Sequence, residues 1–83
     1  MRYTNETIDA QTLTGGLQRQ EYTDCTFTHC RWQDLRVENC SFVNCRFVGC
    51  QWSNVVFSFT QMRDGRFENC AFRGIAWGGL QGK

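Results

Sequence analysis

Residues 25–52 read CTFTH CRWQD LRVEN CSFVN CRFVG CQW, and a step of five residues runs through the whole stretch. Cys25, Cys30, Leu35, Cys40, Cys45 and Cys50 take the first place of each group, and Phe27, Trp32, Val37, Phe42, Phe47 and Trp52 take the third. Each group therefore offers two residues suited to a core, two positions apart. The columns continue through Phe57, Met62, Phe67, Phe72 and Trp77, with Cys70 again in the first place.

Residues two apart on an extended strand point to the same side, so Cys25 and Phe27 share a direction. Cys30 lies three further on, an odd step that would turn it outward on a straight strand. The chain has to bend between Phe27 and Cys30 to bring the thiol back. A bend of roughly 90° per group closes a circuit in about twenty residues, and circuits stack at the strand spacing of about 4.8 Å. The pattern predicts a square β-solenoid. A helix would place apolar residues at i, i+3, i+4 and i+7, which alternating steps of two and three do not supply.

The fifth place of each group supports the bends independently. It holds His29, Asp34, Asn39, Asn44, Gly49, Asn54, Phe59, Asp64, Asn69, Gly74 and Gly79. All but His29 and Phe59 are Asn, Asp or Gly, which accept left-handed backbone or make local side-chain hydrogen bonds. The run resembles the pentapeptide-repeat family, whose groups carry a small residue, a polar residue, a central Leu or Phe, and two polar residues. The resemblance covers residues 20–80. It implies an all-β, right-handed quadrilateral β-helix of about three coils. This chain departs from the pattern by preferring Phe and Trp to Leu at the centres, and by carrying Leu35, Thr60 and Gly65 in the small-residue column.

Residues 20–80 thus read as the β-helix, 1–19 as an N-terminal cap or imperfect first coil, and 81–83 as a tail. Tyr3, Ile8 and Leu13 are five apart, as are Leu17, Tyr22 and Phe27, but the two series are one residue out of phase. The Gly15-Gly16 pair lies between them and is suited to absorb the shift. Stacking at a period of about twenty puts Phe27, Phe47 and Phe67 in one column, and Trp32, Trp52 and Phe72 in the next. Val37, Phe57 and Trp77 make the third, and Tyr22, Phe42 and Met62 the fourth. These columns, with Cys25, Cys30, Cys40, Cys45, Cys50 and Cys70, form the expected core.

Nine basic residues against eight acidic ones give a net charge of +1. That balance makes no general case for direct nucleic-acid or membrane-surface binding. No apolar run reaches the length of a membrane span, and polar residues 1–20 do not read as a signal peptide. A cytoplasmic location is expected. Six cysteines in a short secreted chain would suggest a disulfide framework, but here all six fall in the inward column, where a thiol behaves as a compact hydrophobe. Buried free thiols are the expectation. Pairing within a column is the alternative, since Cys25 stacks near Cys45 and Cys30 near Cys50 and Cys70, at separations close to disulfide range. The spacing lacks the close Cys pairs of zinc sites.

No catalytic constellation stands out, and no cofactor is expected. His29 neighbours Cys30, but one should face outward and the other inward, which defeats a Cys-His nucleophilic pair. Gly15-Gly16 and Gly78-Gly79 lack the spacing and context of a phosphate loop. Val43, Val48, Val56 and Phe59 are apolar at outward positions and form a candidate contact surface. The last coil carries Ile75, Trp77 and Leu80 with little after them to cover an exposed β-helix end, which invites edge pairing. End-to-end association as a homodimer, or continuation in a longer chain, is expected there.

The leading expectation for function is a non-enzymatic scaffold for protein–protein interaction. The family resemblance implies a second reading, since some members resemble B-form DNA in size and charge. Those members bind DNA gyrase or topoisomerase IV, protecting it from quinolones or inhibiting it. Glu6-Thr7-Ile8-Asp9, Thr14-Gly15 and Tyr22-Thr23-Asp24-Cys25-Thr26-Phe27 are similar to the start of the quinolone-resistance members. A type II topoisomerase is therefore a candidate partner, although mimicry of a duplex wants a strongly negative surface. A third reading is a fragment of a larger bacterial effector or immunity protein.

Overall fold

The computed structural model describes residues 1–82. Short strands follow one another round a closed circuit: β1 (Arg2–Thr4), β2 (Thr7–Asp9), β3 (Thr12–Gln18), β4 (Glu21–Thr23), β5 (Thr26–Thr28), β6 (Arg31–Glu38) and β7 (Ser41–Val43). The rest are β8 (Arg46–Val48), β9 (Gln51–Ser58), β10 (Thr60–Arg63), β11 (Arg66–Glu68), β12 (Ala71–Arg73) and β13 (Leu80–Gly82). Each pairs in parallel with the strand one circuit away, giving sheets of order β1-β4-β7-β10-β13, β11-β8-β5-β2 and β12-β9-β6-β3. The fold is the expected all-β, pentapeptide-repeat β-helix, with about four coils once β1–β3 are counted.

Four faces arise from three sheets because β6 and β9 turn a corner without ending. Their corner residues, Asp34 (φ 50°) and Asn54 (φ 54°), take the left-handed conformation in mid-strand. The faces are numbered by their inward columns: Tyr22, Phe42 and Met62 on face 1, Phe27 and Phe47 on face 2, Trp32 and Trp52 on face 3, Val37 and Phe57 on face 4.

Register is twenty residues from the second coil upward, as in Phe27 against Phe47 and Trp32 against Trp52. Below it the offset is nineteen for Tyr3 against Tyr22 and Ile8 against Phe27. It becomes twenty between Leu13 and Gly15. One residue, Thr14, therefore spans a corner that Gln33 and Asp34 share one coil higher. Gly15, at φ 94° with nothing within 4 Å of where a Cβ would stand, permits that shortcut.

The core is a set of vertical ladders. Phe27 stacks on Phe47 at 4.7 Å between ring centroids, Trp32 on Trp52 at 4.8 Å and Tyr22 on Phe42 at 5.1 Å. Neighbouring columns meet edge to face, as Phe27 does with Trp32 at 84° between planes. Both arrangements suit the ring quadrupole. Phe27, Trp32, Val37, Phe42, Phe47, Trp52, Phe57 and Met62 are buried with Cys25, Cys30, Cys40, Cys45 and Cys50. Tyr22, Leu35, Val55 and Thr60 join them. Leu35, Val55 and Thr60 occupy the same inward column as the cysteines, so their five-residue spacing was the available signal.

Four residues expected in the core are not enclosed. Phe67, Phe72 and Trp77 are 38%, 40% and 44% exposed, and Cys70 is half-buried. The rings face inward as their columns require: Phe67 and Trp77 stack on Phe47 and Phe57 below, and Phe72 meets Trp52 edge to face. However, β11 and β12 are the outermost strands of their sheets among the described residues, so nothing lies over these rings.

Face 1 goes one step further. A single 3-10 turn, Trp77–Gly79, leads into β13, whose Leu80, Gln81 and Gly82 pair with Thr60, Gln61 and Met62. The expected tail at 81–83 is thus strand at Gln81 and Gly82, while Lys83 lies outside the described residues. The turn depends on Gly79, where any Cβ would overlap the Phe57 carbonyl.

Candidate interaction surfaces

The corners present a run of residues held at positive φ, from Asn5 at 58° to Asn69 at 53°. Asn and Asp tolerate this conformation because a short polar side chain can hydrogen-bond locally. Here the side chains also bond vertically. Asn44 Nδ2 donates to Asp24 Oδ1 at 2.7 Å, and Asn54 Nδ2 donates to Asp34 Oδ1 at 3.2 Å. Thr28 Oγ1 donates to Asp9 Oδ1 at 2.6 Å. That bond, followed by the contact with His29, holds the Asp9 carboxyl below its usual range.

Phe59 breaks this corner chemistry. It sits at φ 47°, between the levels of Asn39 and Gly79, and is 81% exposed. A bulky side chain in the left-handed region is an outlier that costs energy.

The four residues of the expected contact surface do not gather. Val43 lies half-buried on face 1 between Thr23 and Arg63, and Val48 half-buried on face 2 between Thr28 and Glu68. Val56 is 43% exposed on face 4, above Arg36 and below Ala76. Phe59 stands at the corner between faces 4 and 1, with Val56 on the one and Val43 on the other. Of the three residues expected at the free end, Trp77 is exposed, while Ile75 and Leu80 are partly buried against the core.

The surface is otherwise short and polar, and a few of its charges pair. Arg46 Nη2 lies 2.8 Å from Glu68 Oε2, and Arg2 Nε lies 3.8 Å from Glu21 Oε1. Such exposed pairs add little stability.

The interior thiols are arranged for packing rather than reaction. Cys45 Sγ lies 3.5 Å from the carbonyls of both Tyr22 and Val43, and Cys50 Sγ lies 3.4 Å from that of Phe27. Thr60 fills the same role with its hydroxyl, 3.2 Å from the Val37 carbonyl and 3.0 Å from that of Ser58. Burial pushes the Cys45 and Cys50 thiols up to about 11, and those of Cys30 and Cys40 in the same direction. All six cysteines are free. A thiol so disfavoured as thiolate is a poor nucleophile and a poor metal ligand.

His29 stands outside with its Nδ1 3.5 Å from Asp9 Oδ1, its ring against Gly49. Cys30 turns inward to the Ile8 carbonyl, so the two never meet as a pair. Among the described residues no group of three or more His, Cys, Asp and Glu side chains is placed to hold a metal ion. No helix there is long and apolar enough to cross a membrane.

Three open hollows mark the sides. One of about 450 Å³ lies on face 3 between Arg31, Gln51, Ser53 and Arg73. A second of about 370 Å³ lies on face 4 over Gly15, Gly16, Arg36 and Val56. A third, about 510 Å³, lies at the first corner beside Asp24, Asn44, Arg46 and Arg66. None brings an acid and a base to a shared, enclosed point of the kind general acid–base chemistry needs.

No curated protein matches the chain. Among solved structures, trypsin-treated QnrB1, a plasmid-mediated fluoroquinolone resistance protein, aligns with 99% of this chain at 13% identity and a TM-score of 0.42. Full-length QnrB1 aligns with 93% at 14% identity and 0.33. The chain covers 52% and 49% of those two proteins, about half their length. Rfr23, a pentapeptide repeat protein from the cyanobacterium Cyanothece 51142, aligns over 96% of this chain and 90% of its own, at 8% identity and 0.37. The model of the pentapeptide repeat region matches residues 20–83, and the chain belongs to the pentapeptide-repeat family.

Proposed function

We propose that the protein is a non-enzymatic scaffold that docks another protein on the aromatic end of its stack, working as a cytoplasmic, reduced protein. The observation that carries this reading is the exposure of Phe67, Phe72 and Trp77, large rings left 38–44% open at one end. Beside them run the outer edges of β11 and β12, whose outward backbone groups have no strand partner among the described residues. An apolar floor rimmed by strand edges favours a partner that brings its own strands, because edge pairing satisfies the backbone while the rings are covered. A second copy meeting this one end to end, or further coils of a longer chain, would supply such strands.

The topoisomerase partner implied by the resemblance would need a duplex-like negative field. The chain carries +1 overall, and its Arg46–Glu68 pair cancels locally, so the end surface is the better-supported contact.

Light scattering on the purified chain and on Phe67→Arg tests the reading. Concentration-dependent association that Phe67→Arg abolishes supports it. A wild-type chain that neither associates nor captures strand-bearing protein through this end overturns it. A gyrase supercoiling assay run alongside reports separately on the topoisomerase alternative.

A further inference from the structure

Face 4 carries two features that the end-on reading leaves unused. The first is Phe59, strained at φ 47° and 81% exposed at the corner that bounds the face. One coil lower the same corner holds Asn39, also left-handed at φ 54°, so the fold accepts an unstrained residue at this place. Neither folding nor solubility gains from the ring, and residues kept in costly conformations concentrate where they contact something.

The second feature is the hollow of about 370 Å³ on the same face, lower in the stack. It exists because Gly15 and Gly16 put no side chain over β3. A Cβ on Gly15 would meet nothing within 4 Å, and one on Gly16 would meet only the Arg36 carbonyl, at 3.9 Å. Val56 adds an apolar wall. The face thus bears a knob and a hollow, displaced from each other across a flat sheet.

A knob and a hollow on one flat face match those of an identical face through a two-fold axis lying between the two faces, across the line that joins knob and hollow. The charges around them suit the same arrangement: Arg19 and Arg36 are balanced by Asp34 and Glu38, so a like copy meets no net repulsion. We propose that a second copy of this chain docks side by side on face 4, each Phe59 ring seating in the glycine-floored hollow of the other. One face of a body 28 × 24 × 22 Å is at the low end of what specific interfaces bury, so this pairing is weak and reversible. It is separate from end-on docking, since Phe67 belongs to the opposite face.

Sedimentation velocity from micromolar to millimolar concentration tests the proposal with Phe67→Arg as background, so that end-on association is removed. Self-association should persist there, and Phe59→Asn should weaken it at least about tenfold, as expected on removing an aromatic anchor from a small interface. The same variant should raise the denaturation midpoint of the monomer, because Asn suits the left-handed corner. Gly16→Gln fills the hollow without strain in the monomer and should weaken association similarly. A chain that stays monomeric to millimolar concentration overturns the proposal. So does association indifferent to Phe59→Asn, or lost with Phe59→Asn but indifferent to Gly16→Gln.

Discussion

The third and fourth coils hold almost the same residues in the same columns, yet only one of them makes a core. Phe47, Trp52 and Phe57 are 0–2% exposed, whereas Phe67, Phe72 and Trp77 one coil above are 38–44% exposed. The two sets share their inward facing, and Phe47 and Phe67 even stack at 5.1 Å. What separates them is vertical. In a solenoid each ring is covered by the coils below and above it, so a five-residue pattern specifies direction while burial depends on a neighbour twenty residues away.

Truncation should expose this contrast most strongly. Phe47→Ala removes a ring packed on both sides and should cost about 3–5 kcal/mol. Phe67→Ala removes one packed on a single side and should cost less than half as much. Urea denaturation midpoints of the two variants give the comparison directly. Equal losses would show that the last coil is covered in solution.

Alkaline titration sharpens the same contrast through sulfur. Cys45 and Cys50, both in the third coil, are held near 11 by burial, above the 9.0 of a free thiol. Between those values the unfolded chain has released protons that the folded chain retains, so stability is full below about pH 9 and falls as pH rises towards 11. The loss is on the order of 2 kcal/mol per thiol at the top of that range. Denaturation curves at successive pH values should show the slope, and Cys45→Ala with Cys50→Ala should lessen it, leaving the part due to Cys30 and Cys40.

The smallest expected effect concerns Trp52. Its indole Nε1 and that of Trp32 are buried without a hydrogen-bond partner, a condition that costs about 1–3 kcal/mol for each such group. Trp52→Phe loses ring area but removes the unpaired donor, and Phe already continues this column at Phe72. A net change within about 1 kcal/mol is expected, measurable as a small shift in midpoint. A loss as large as that of Phe47→Ala would mean that the indole nitrogen has a partner in solution.

The solenoid itself was legible because three signals coincide at every fifth residue: a small inward residue, a large one two places on, and a turn former at the corner. Left-handed backbone at Asp34, Asn44, Asn54 and Asn69 is what those residue types announce. The one-residue slip was legible too, since the series ending at Leu13 and the one beginning at Leu17 disagree in phase. The exposure of Phe67, Phe72 and Trp77 was not, because nothing in a residue's own group reports what stacks on it. Nor was the strand Leu80–Gly82, because Gly78 and Gly79 carry no side-chain pattern and the close approach of Gly79 to Phe57 is a backbone event. Val43, Val48, Val56 and Phe59 looked like one set by their chemistry, but their faces depend on their place round the circuit. Counting in groups of five from Phe27 separates them.

The backbone hydrogen bonds between coils, such as Arg46 N to the Cys25 carbonyl and Gln51 N to the Cys30 carbonyl, both within 3.0 Å, all run along the axis of the stack. A force applied along that axis therefore loads one coil's bonds in succession, like the teeth of a zip, and never a whole sheet in shear. Each coil that lets go frees about twenty residues, which extend to about 65–70 Å. Pulled by its ends, the molecule should lengthen in low-force steps of that size, behaving as a graded extensible spacer where other β-proteins of its size resist until they fail at once.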